Sequence, residues 1–205
     1  MNVDALFPVF LKLGGRRVLV VGGGPVATSK LDALLAAGAD LTVVAPDVTP
    51  AIAASGARIE RRPFDPSDLD GMWLVVAAAT PEVNAAVSAA AEARRLFVNA
   101  VDDPPNATAY LGGVVRRSST TIAISTGGRA PALAGLLREG LEDVLPGDDT
   151  FDAWLVEADR LRDHWRSTGV PMEQRRPQLA EVIARRYCGR LDSCVALAGD
   201  RSGGA

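Results

Sequence analysis

Residues 16–27 read Arg-Arg-Val-Leu-Val-Val-Gly-Gly-Gly-Pro-Val-Ala, and this stretch decides the fold. The aliphatic run before the glycines is typical of a strand buried on both faces, and Pro25 is a residue that commonly opens a helix. Between them, Gly22, Gly24 and Ala27 satisfy the G-x-G-x-x-A pattern of a strand, turn and helix that bind a dinucleotide. The stretch therefore predicts a cofactor-binding turn next to the first strand of a parallel sheet.

Strands and helices continue to alternate after this turn, up to about residue 101. Apolar residues recur at helical spacing after Pro25, and Gly38 is expected to end that helix because glycine readily adopts the left-handed conformation of a helix end. The next predicted elements are strands at 41–45, 58–64 and 73–79, a helix at 81–95 and a strand at 96–101. Such alternation predicts an α/β fold with a doubly wound, Rossmann-like parallel sheet.

The pattern changes after Asp102-Asp103-Pro104-Pro105. Two β segments, at 110–115 and 120–125, have no helix-length stretch between them, so they are predicted to pair as a β-hairpin. The remaining predicted elements are helices at 131–144, 150–167 and 173–187, followed by a frayed tail that ends at residue 205. These changes divide the chain into three predicted regions, at residues 1–103, 104–147 and 148–205.

The composition of the 205 residues excludes several classes of protein. Hydrophobic residues make up 48% and charged residues 23%, and no apolar run approaches the roughly 18 residues of a membrane span, so neither a disordered tail protein nor an integral membrane protein is predicted. The amino-terminal residues lack the segments of a secretory signal, and Cys188 and Cys194 form no common zinc or redox motif, which favours a cytoplasmic protein with reduced thiols. Because the net charge of −3 gives no general attraction to nucleic acid, neither nucleic acid nor a membrane is an expected partner.

The small residues of the glycine turn each have a physical reason in cofactor binding. Gly22 allows the tight turn, and Gly24 lets the backbone approach a pyrophosphate. Ala27 lets the helix pack closely on the sheet, with its amino-terminal end facing the phosphates. The alternative is a glycine-rich strand-to-helix turn that holds no ligand.

Asp47 stands where the residue that reads the ribose is expected, after the second strand. Its carboxylate would accept the ribose hydroxyls and repel a 2′-phosphate, and no arginine follows directly, so NAD is favoured over NADP. The alternative is a surface turn aspartate that follows Pro46.

The two lysines exclude two other kinds of nucleotide-dependent enzyme. A Tyr-x-x-x-Lys dyad would need tyrosine four residues before Lys12 or Lys30, where Pro8 and Val26 stand. A P-loop would need glycine before and a hydroxyl residue after a lysine, and neither lysine has this pair of neighbours. Short-chain alcohol dehydrogenase chemistry and P-loop nucleotide hydrolysis are therefore not predicted.

Four blocks of sequence resemble one known family. They are Leu6-Phe7-Pro8-Val9-Phe10-Leu11, residues 20–27 together with Lys30, Asn99-Ala100-Val101-Asp102, and residues 124–133. With them the chain is similar, over about residues 5 to 145, to the precorrin-2 dehydrogenase family, which includes the siroheme synthase amino-terminal region. The last two blocks are specific, because other dinucleotide-binding folds lack a strand end N-x-V-D that is followed about twenty residues later by I-S-T-G-G-x-x-P.

The resemblance implies an NAD-dependent enzyme that removes two hydrogens from precorrin-2, a tetrapyrrole with eight carboxylates, to give sirohydrochlorin and NADH. Some members also insert ferrous iron to give siroheme, and whether this chain does so is left open. Members are homodimers whose hairpin and helical regions interlock, so region 104–147 is expected to serve both dimerisation and substrate binding. The cofactor contacts expected from the resemblance and from the glycine turn are Gly22, Gly23, Gly24, Pro25, Val26, Pro46, Asp47 and Thr80.

The catalytic aspartate of the family falls on Asp102. A carboxylate at the carboxyl end of a sheet strand faces the crevice in which doubly wound folds bind ligands, so it could accept the proton that is released when hydride passes to NAD. The alternative is an aspartate that caps the Pro104-Pro105 turn, a task that the adjacent Asp103 could equally perform.

The substrate carboxylates need donors and cations. Residues 125–128 offer hydroxyl and backbone N–H groups ahead of a helix, with an ordinary helix cap as the alternative. Residues 160–190 contain eight arginines against three acidic residues, and these arginines could bind the substrate carboxylates. The alternative is a solvated helix face. Arg117 is a further cation expected near the site. The candidate substrate-binding residues are Ser125, Thr126, Gly127, Gly128, Arg129 and Arg116.

A stored metal is not predicted. His164 is the only histidine, and no cysteine stands at ligand spacing, so any transient iron would rely on Asp102 and the macrocycle nitrogens. His164 itself is interpreted as an ordinary helix residue.

The leading hypothesis is therefore a homodimeric, NAD-dependent precorrin-2 dehydrogenase. Two alternatives stay open: a dimeric NAD-binding module that senses redox state without chemistry, and a relative that keeps only chelatase activity. The sensor predicts that replacing Asp102 by asparagine changes nothing, and the chelatase predicts that damage at Gly24 leaves metal insertion intact.

Overall fold

The computed structural model describes residues 6–187, which form two compact units. The first unit comprises residues 6–112 and 125–134, and the second comprises residues 113–124 and 135–187. Cys188, Cys194 and the predicted frayed tail lie outside the described residues.

The first unit is built on a five-stranded sheet in which every neighbouring pair of strands is parallel. Its strands are β1 (Arg17–Val21), β2 (Asp40–Val44), β3 (Arg58–Glu60), β4 (Leu74–Ala77) and β5 (Phe97–Ala100), and their order in the sheet is β3-β2-β1-β4-β5. The helices between them are α1 (Pro25–Ala36), the short α2 (Pro50–Ala54) and α3 (Pro81–Glu92). This topology confirms the predicted α/β, Rossmann-like class.

Successive residues of β1 pack on opposite faces of the sheet, as the twofold period of a strand requires. Val18 and Val20 lie in one buried cluster with side chains of α1, whereas Leu19 and Val21 lie in a second cluster with Val87 of α3. Helices therefore cover both faces of the sheet, which explains the unbroken aliphatic run of the sequence.

The third strand is shorter than predicted, because it ends at Glu60 instead of residue 64. A 3-10 turn at Pro66–Leu69 follows, and the Asp65 and Asp68 side chains cap it reciprocally. Arg62 forms a bidentate pair with Asp68, with N–O distances of 2.6 and 2.9 Å, and this hydrogen bond lowers the pKa of the Asp68 carboxyl. Local side-chain bonds of this kind compete with strand pairing, and propensity alone does not reveal them.

The second unit contains the predicted hairpin and most of the helical remainder of the described chain. The hairpin pairs β6 (Gly113–Arg117) with β7 (Thr120–Ile124) in antiparallel register. The helices are α4 (Pro131–Val144), whose first turn belongs to the first unit, α5 (Asp148–Thr168) and α6 (Met172–Tyr187). Among the described helices, none has both the length and the apolar character of a membrane span.

Candidate functional site

The glycine turn between β1 and α1 can accept no side chain at two of its positions. Gly22 has a φ of +124°, and a Cβ there would overlap the Ala78 carbonyl oxygen. A Cβ on Gly23 would overlap the carbonyl oxygen of Asp47. The turn is therefore packed against backbone on both sides, from the segment after β4 and from the segment after β2.

Gly24 differs from its two neighbours, because a Cβ on it would meet no atom within 4 Å. It is the residue at which α1 begins, its backbone is extended, and no side chain caps the helix. The space beside Gly24 at the start of α1 is thus open. In dinucleotide-binding proteins, the first N–H groups of the corresponding helix hold the pyrophosphate. The residues of the turn fit the cofactor that the motif predicts.

The segment after β2 is fixed to the glycine turn. The Thr49 backbone N–H donates to the Gly23 carbonyl at 2.9 Å, and the hydroxyls of Thr49 and Thr28 lie 2.8 Å apart. Pro46 and Asp47, the predicted contacts of the ribose, are exposed beside this connection. Asp47 is thus an exposed turn residue whose backbone, at least, belongs to the cofactor turn.

The segment after β4 carries Thr80, another predicted cofactor contact. Its backbone caps α3, while its hydroxyl lies beside the carboxylate of Glu82. The backbone N–H of Glu82 and this hydroxyl together lower the pKa of the Glu82 carboxyl. The described contacts of the Thr80 hydroxyl are therefore within the start of α3.

A cavity of about 460 Å³ lies at the carboxyl ends of β1, β4 and β5. Its walls include Val26 at the start of α1, Ala79 between β4 and α3, Asn84 in α3, and Asp102 and Asp103 after β5. Ligand sites of drug-sized molecules usually measure about 300 to 1,000 Å³, and doubly wound sheets bind ligands at this edge. The structure therefore brings Val26, a predicted cofactor contact, and Asp102, the predicted catalytic aspartate, to one cavity.

The two aspartates after β5 differ in their surroundings. Asp102 is exposed and has a φ of +55°, the left-handed region that aspartate and asparagine tolerate better than most residues. Asp103 is half-buried, and its Oδ2 accepts the Asn106 side-chain N–H at 2.9 Å. The hydrogen bond within the proline turn thus belongs to the side chain of Asp103, and Asp102 is the exposed carboxylate of the pair.

The predicted substrate cradle precedes α4. Ser125 Oγ accepts the Gly127 N–H at 3.1 Å, and Thr126 Oγ1 accepts the Ala130 N–H at 3.3 Å. Gly127 and Gly128 both have a positive φ. The hydroxyls therefore act as local caps, while a role in binding carboxylates stays a prediction for this segment and for the exposed Arg129.

The arginines of the second unit have diverse contacts. Arg116 is exposed on β6, whereas Arg117 is half-buried and donates to the Glu142 carbonyl at 2.7 Å. Arg160 pairs with the buried Glu157, and the Arg175 guanidinium lies 6.0 Å from the Trp165 ring centre. His164 lies within α5, as predicted. In residues 6–187, no three His, Cys, Asp or Glu side chains are grouped as metal ligands would be.

Asn84, Ser88 and Asn106 were not predicted to belong to the site. Asn84 is 4% exposed and accepts the Ala79 N–H at 3.0 Å, and Ser88 donates to the Asn106 carbonyl at 2.9 Å. For Asn84 and Ser88, the available signal was their polarity on the face of α3 that also carries the apolar residues Val87 and Ala91. Asn106 lies in the 3-10 turn after β5 and offered no such signal.

This fold and this cavity define an α/β protein that binds a nicotinamide dinucleotide. A family model described as "Putative NAD(P)-binding" matches residues 9–113, and a second one, "Sirohaem biosynthesis protein central", matches residues 121–143. The chain belongs to the family of precorrin-2 dehydrogenases and siroheme synthase amino-terminal regions. The predicted nicotinamide cofactor and the predicted family are thereby confirmed.

Relatives of known name agree with this assignment. Siroheme synthase 3 of Aeromonas hydrophila is 44% identical over 82% of this chain, and siroheme synthase 1 of Pectobacterium atrosepticum is 42% identical over 92% of it. The chain spans only 37% and 39% of the lengths of these two relatives. A solved structure, SirC, a precorrin-2 dehydrogenase, superposes with a TM-score of 0.67 at 27% identity and covers 94% of this chain and 97% of its own.

Proposed function

We propose that the chain oxidises precorrin-2 to sirohydrochlorin with NAD as the hydride acceptor, a step of siroheme biosynthesis. The observation that carries this proposal is the cavity that Val26, at the start of the cofactor helix, shares with Asp102. Among known proteins, SirC, a precorrin-2 dehydrogenase that matches 94% of this chain, supports the proposal.

The roles of the chain's residues follow from their positions. Bound NAD supplies the acceptor for the hydride. The Asp102 carboxylate, exposed at the cavity, accepts the proton that leaves the substrate in the same oxidation and passes it to water. Donors for the substrate carboxylates are proposed at Ser125, Thr126, Gly127, Gly128, Arg129 and Arg116.

A homodimer belongs to the same proposal, with residues 104–147 as its dimerisation and substrate region. Helix α4 supports it, because Leu136, Leu137 and Val144 are 65, 47 and 70% exposed. Apolar side chains grouped along one exposed helix are typical of a surface that another chain covers. The proposal also includes a cytoplasmic location and a chain divided into regions after residues 103 and 147. Any ferrous iron that binds transiently is proposed to bind at Asp102.

We propose NAD rather than NADP because the exposed Asp47 follows β2 with its backbone packed on Gly23. An Asp47→Ala variant is expected to bind NAD about tenfold more weakly, the loss of one charge-assisted hydrogen bond, and to bind NADP with unchanged or higher affinity. Isothermal titration with both cofactors measures the two constants.

Asp40→Ala is the matched control, because Asp40 is the exposed first residue of the same strand and lies at its opposite end. It removes the same charge and is expected to leave both constants unchanged. An Asp47→Ala protein that still prefers NAD as strongly as the parent would refute the role of Asp47 in cofactor choice.

The assay that tests the function is anaerobic incubation of the purified protein with NAD and enzymatically generated precorrin-2. NADH and the sirohydrochlorin spectrum are expected to rise together, in equal amounts. NAD binding without product, in the presence of intact substrate, would contradict the dehydrogenase. Ferrous iron added afterwards decides the chelatase, by comparison of siroheme formation with a protein-free sample.

A further inference from the structure

Two polar side chains of α3, Asn84 and Ser88, lie one helical turn apart on the side of the helix that faces the sheet. Between and beyond them, Val87 and Ala91 are fully buried against the sheet. Asn84 is 96% buried, and Ser88 is half-buried. Polar groups in such positions are retained where they hydrogen-bond to something specific, since burial without a partner is costly.

The Asn84 side chain holds the cofactor side of the cavity. Its Oδ1 accepts the Ala79 N–H at 3.0 Å, directly after β4. The neighbouring Ala78 carbonyl is the group against which Gly22 packs without room for a Cβ. The glycine turn thus packs on the Ala78-Ala79 segment. This segment is bonded to β1 through the Ala78 N–H and the Val21 carbonyl, at 2.8 Å, and to α3 through the Asn84 side chain.

The Ser88 side chain holds the opposite side of the cavity. The segment after β5 is anchored to the sheet at its two ends, where Val101 N–H donates to Ala77 and Thr108 N–H donates to Val98, both at 2.9 Å. Its middle is bonded to α3 through the Ser88 hydroxyl, which donates to the Asn106 carbonyl at 2.9 Å.

Asn106, which Ser88 bonds, is itself hydrogen-bonded to Asp103. Its side-chain N–H donates to Asp103 Oδ2 at 2.9 Å, and its backbone N–H donates to the Asp103 carbonyl at 3.1 Å. Asp103 is bonded covalently to Asp102, whose left-handed backbone must be maintained by its surroundings.

We propose that Asn84 and Ser88 are positioning residues that hold the cofactor turn and the Asp102 segment at a fixed separation across the cavity. One helix bonds both walls through side chains one turn apart, in addition to the backbone bonds that tie each wall to the sheet. Placement within a fraction of an ångström matters for the rate of a reaction between two bound groups. The part of this inference that concerns rate rests on the proposed function.

The two residues are expected to affect different constants. Ser88→Ala removes the bond to the Asp102 segment and is expected to lower kcat about 3- to 10-fold, the weight of one neutral hydrogen bond, with an unchanged Kd for NAD. Asn84→Ala is expected to raise the Kd for NAD by a similar factor. Ser88→Thr retains the hydroxyl and is expected to restore kcat.

The experiment combines these constants with hydrogen exchange of the full chain, followed by mass spectrometry. Ser88→Ala should accelerate exchange in residues 102–107 and leave residues 78–83 unchanged, whereas Asn84→Ala should do the reverse. Ser55→Ala is the control, because the Ser55 hydroxyl bonds only local backbone at the end of α2: it donates to the Ile52 carbonyl at 2.7 Å and accepts the Ala57 N–H at 3.3 Å. This variant should change neither segment nor any constant.

Exchange in residues 102–107 that is unchanged by Ser88→Ala, or faster exchange with an unaltered kcat, would overturn the proposal. The comparison of Ser88→Ala with Ser88→Thr tests the proposal even if Asn84→Ala does not fold. If the parent protein proves to have no dehydrogenase activity, the proposed function fails alone. In that case, hydrogen exchange in residues 78–83 and 102–107 and the Kd for NAD still test whether Asn84 and Ser88 hold these two segments.

Discussion

A Gly24→Ala variant is expected to fold like the parent protein and to bind NAD about 10 to 100 times more weakly. The added methyl group meets no protein atom within 4 Å, and the backbone of Gly24 is one that alanine adopts, so the fold has no reason to change. The methyl group would instead occupy the space through which a pyrophosphate reaches the N–H groups of α1. Loss of a hydrogen bond to a charged group costs about 1.5 to 3 kcal/mol, and about 1.4 kcal/mol is tenfold in affinity. Isothermal titration with NAD measures the change, and thermal unfolding checks the fold.

Gly147→Ala is the matched control for this variant. Gly147 also precedes a helix with an extended backbone, and a Cβ there would also meet no atom within 4 Å, but it belongs to the second unit. It should leave the Kd for NAD unchanged. Gly23→Ala gives the opposite contrast, because its Cβ would overlap the Asp47 carbonyl and should lower the melting temperature as well. A Gly24→Ala protein with the parent's affinity would show that the glycine turn does not hold the pyrophosphate.

The order of strands and helices in the first unit could be predicted because local patterns determine it. An unbroken aliphatic run, a glycine turn and a helical repeat follow one another within residues 17–36, and the structure places them as β1 and α1. The necessity of Gly23 could not be predicted in this way. It arises from the carbonyl of Asp47, which folding brings against the turn from a distant part of the chain.

The site was predictable only in part, for the same reason. The sequence pattern offered two adjacent aspartates for two tasks, and it is the Asn106 side chain that distinguishes them, by bonding Asp103. In the sequence alone, Asn84 and Ser88 do not differ from other polar residues of a helix. Their partners, at Ala79 and Asn106, become neighbours only when α3 packs on the sheet.

An Asp102→Asn variant is expected to retain NAD binding and to lose dehydrogenation, with kcat lower by about 100- to 10,000-fold, the usual contribution of a general base. Asparagine has nearly the shape of aspartate and also tolerates the left-handed φ of +55°, so the segment after β5 should keep its conformation. Asparagine cannot accept the proton that the oxidation releases. Anaerobic NADH formation at saturating NAD and precorrin-2 measures kcat, and titration with NAD measures binding.

Asp103→Asn provides the comparison, because it changes the adjacent carboxylate in the same way. Asp103 accepts a hydrogen bond from Asn106, and an asparagine oxygen can still accept it, so the decrease in kcat should stay below about tenfold. Equal losses from both variants would mean that charge in the cavity, and not a base at position 102, supports the reaction. If Asp102→Asn turns over precorrin-2 as fast as the parent protein, Asp102 is not the base of the reaction. If the parent protein binds NAD but has no turnover, a redox-sensing module is favoured.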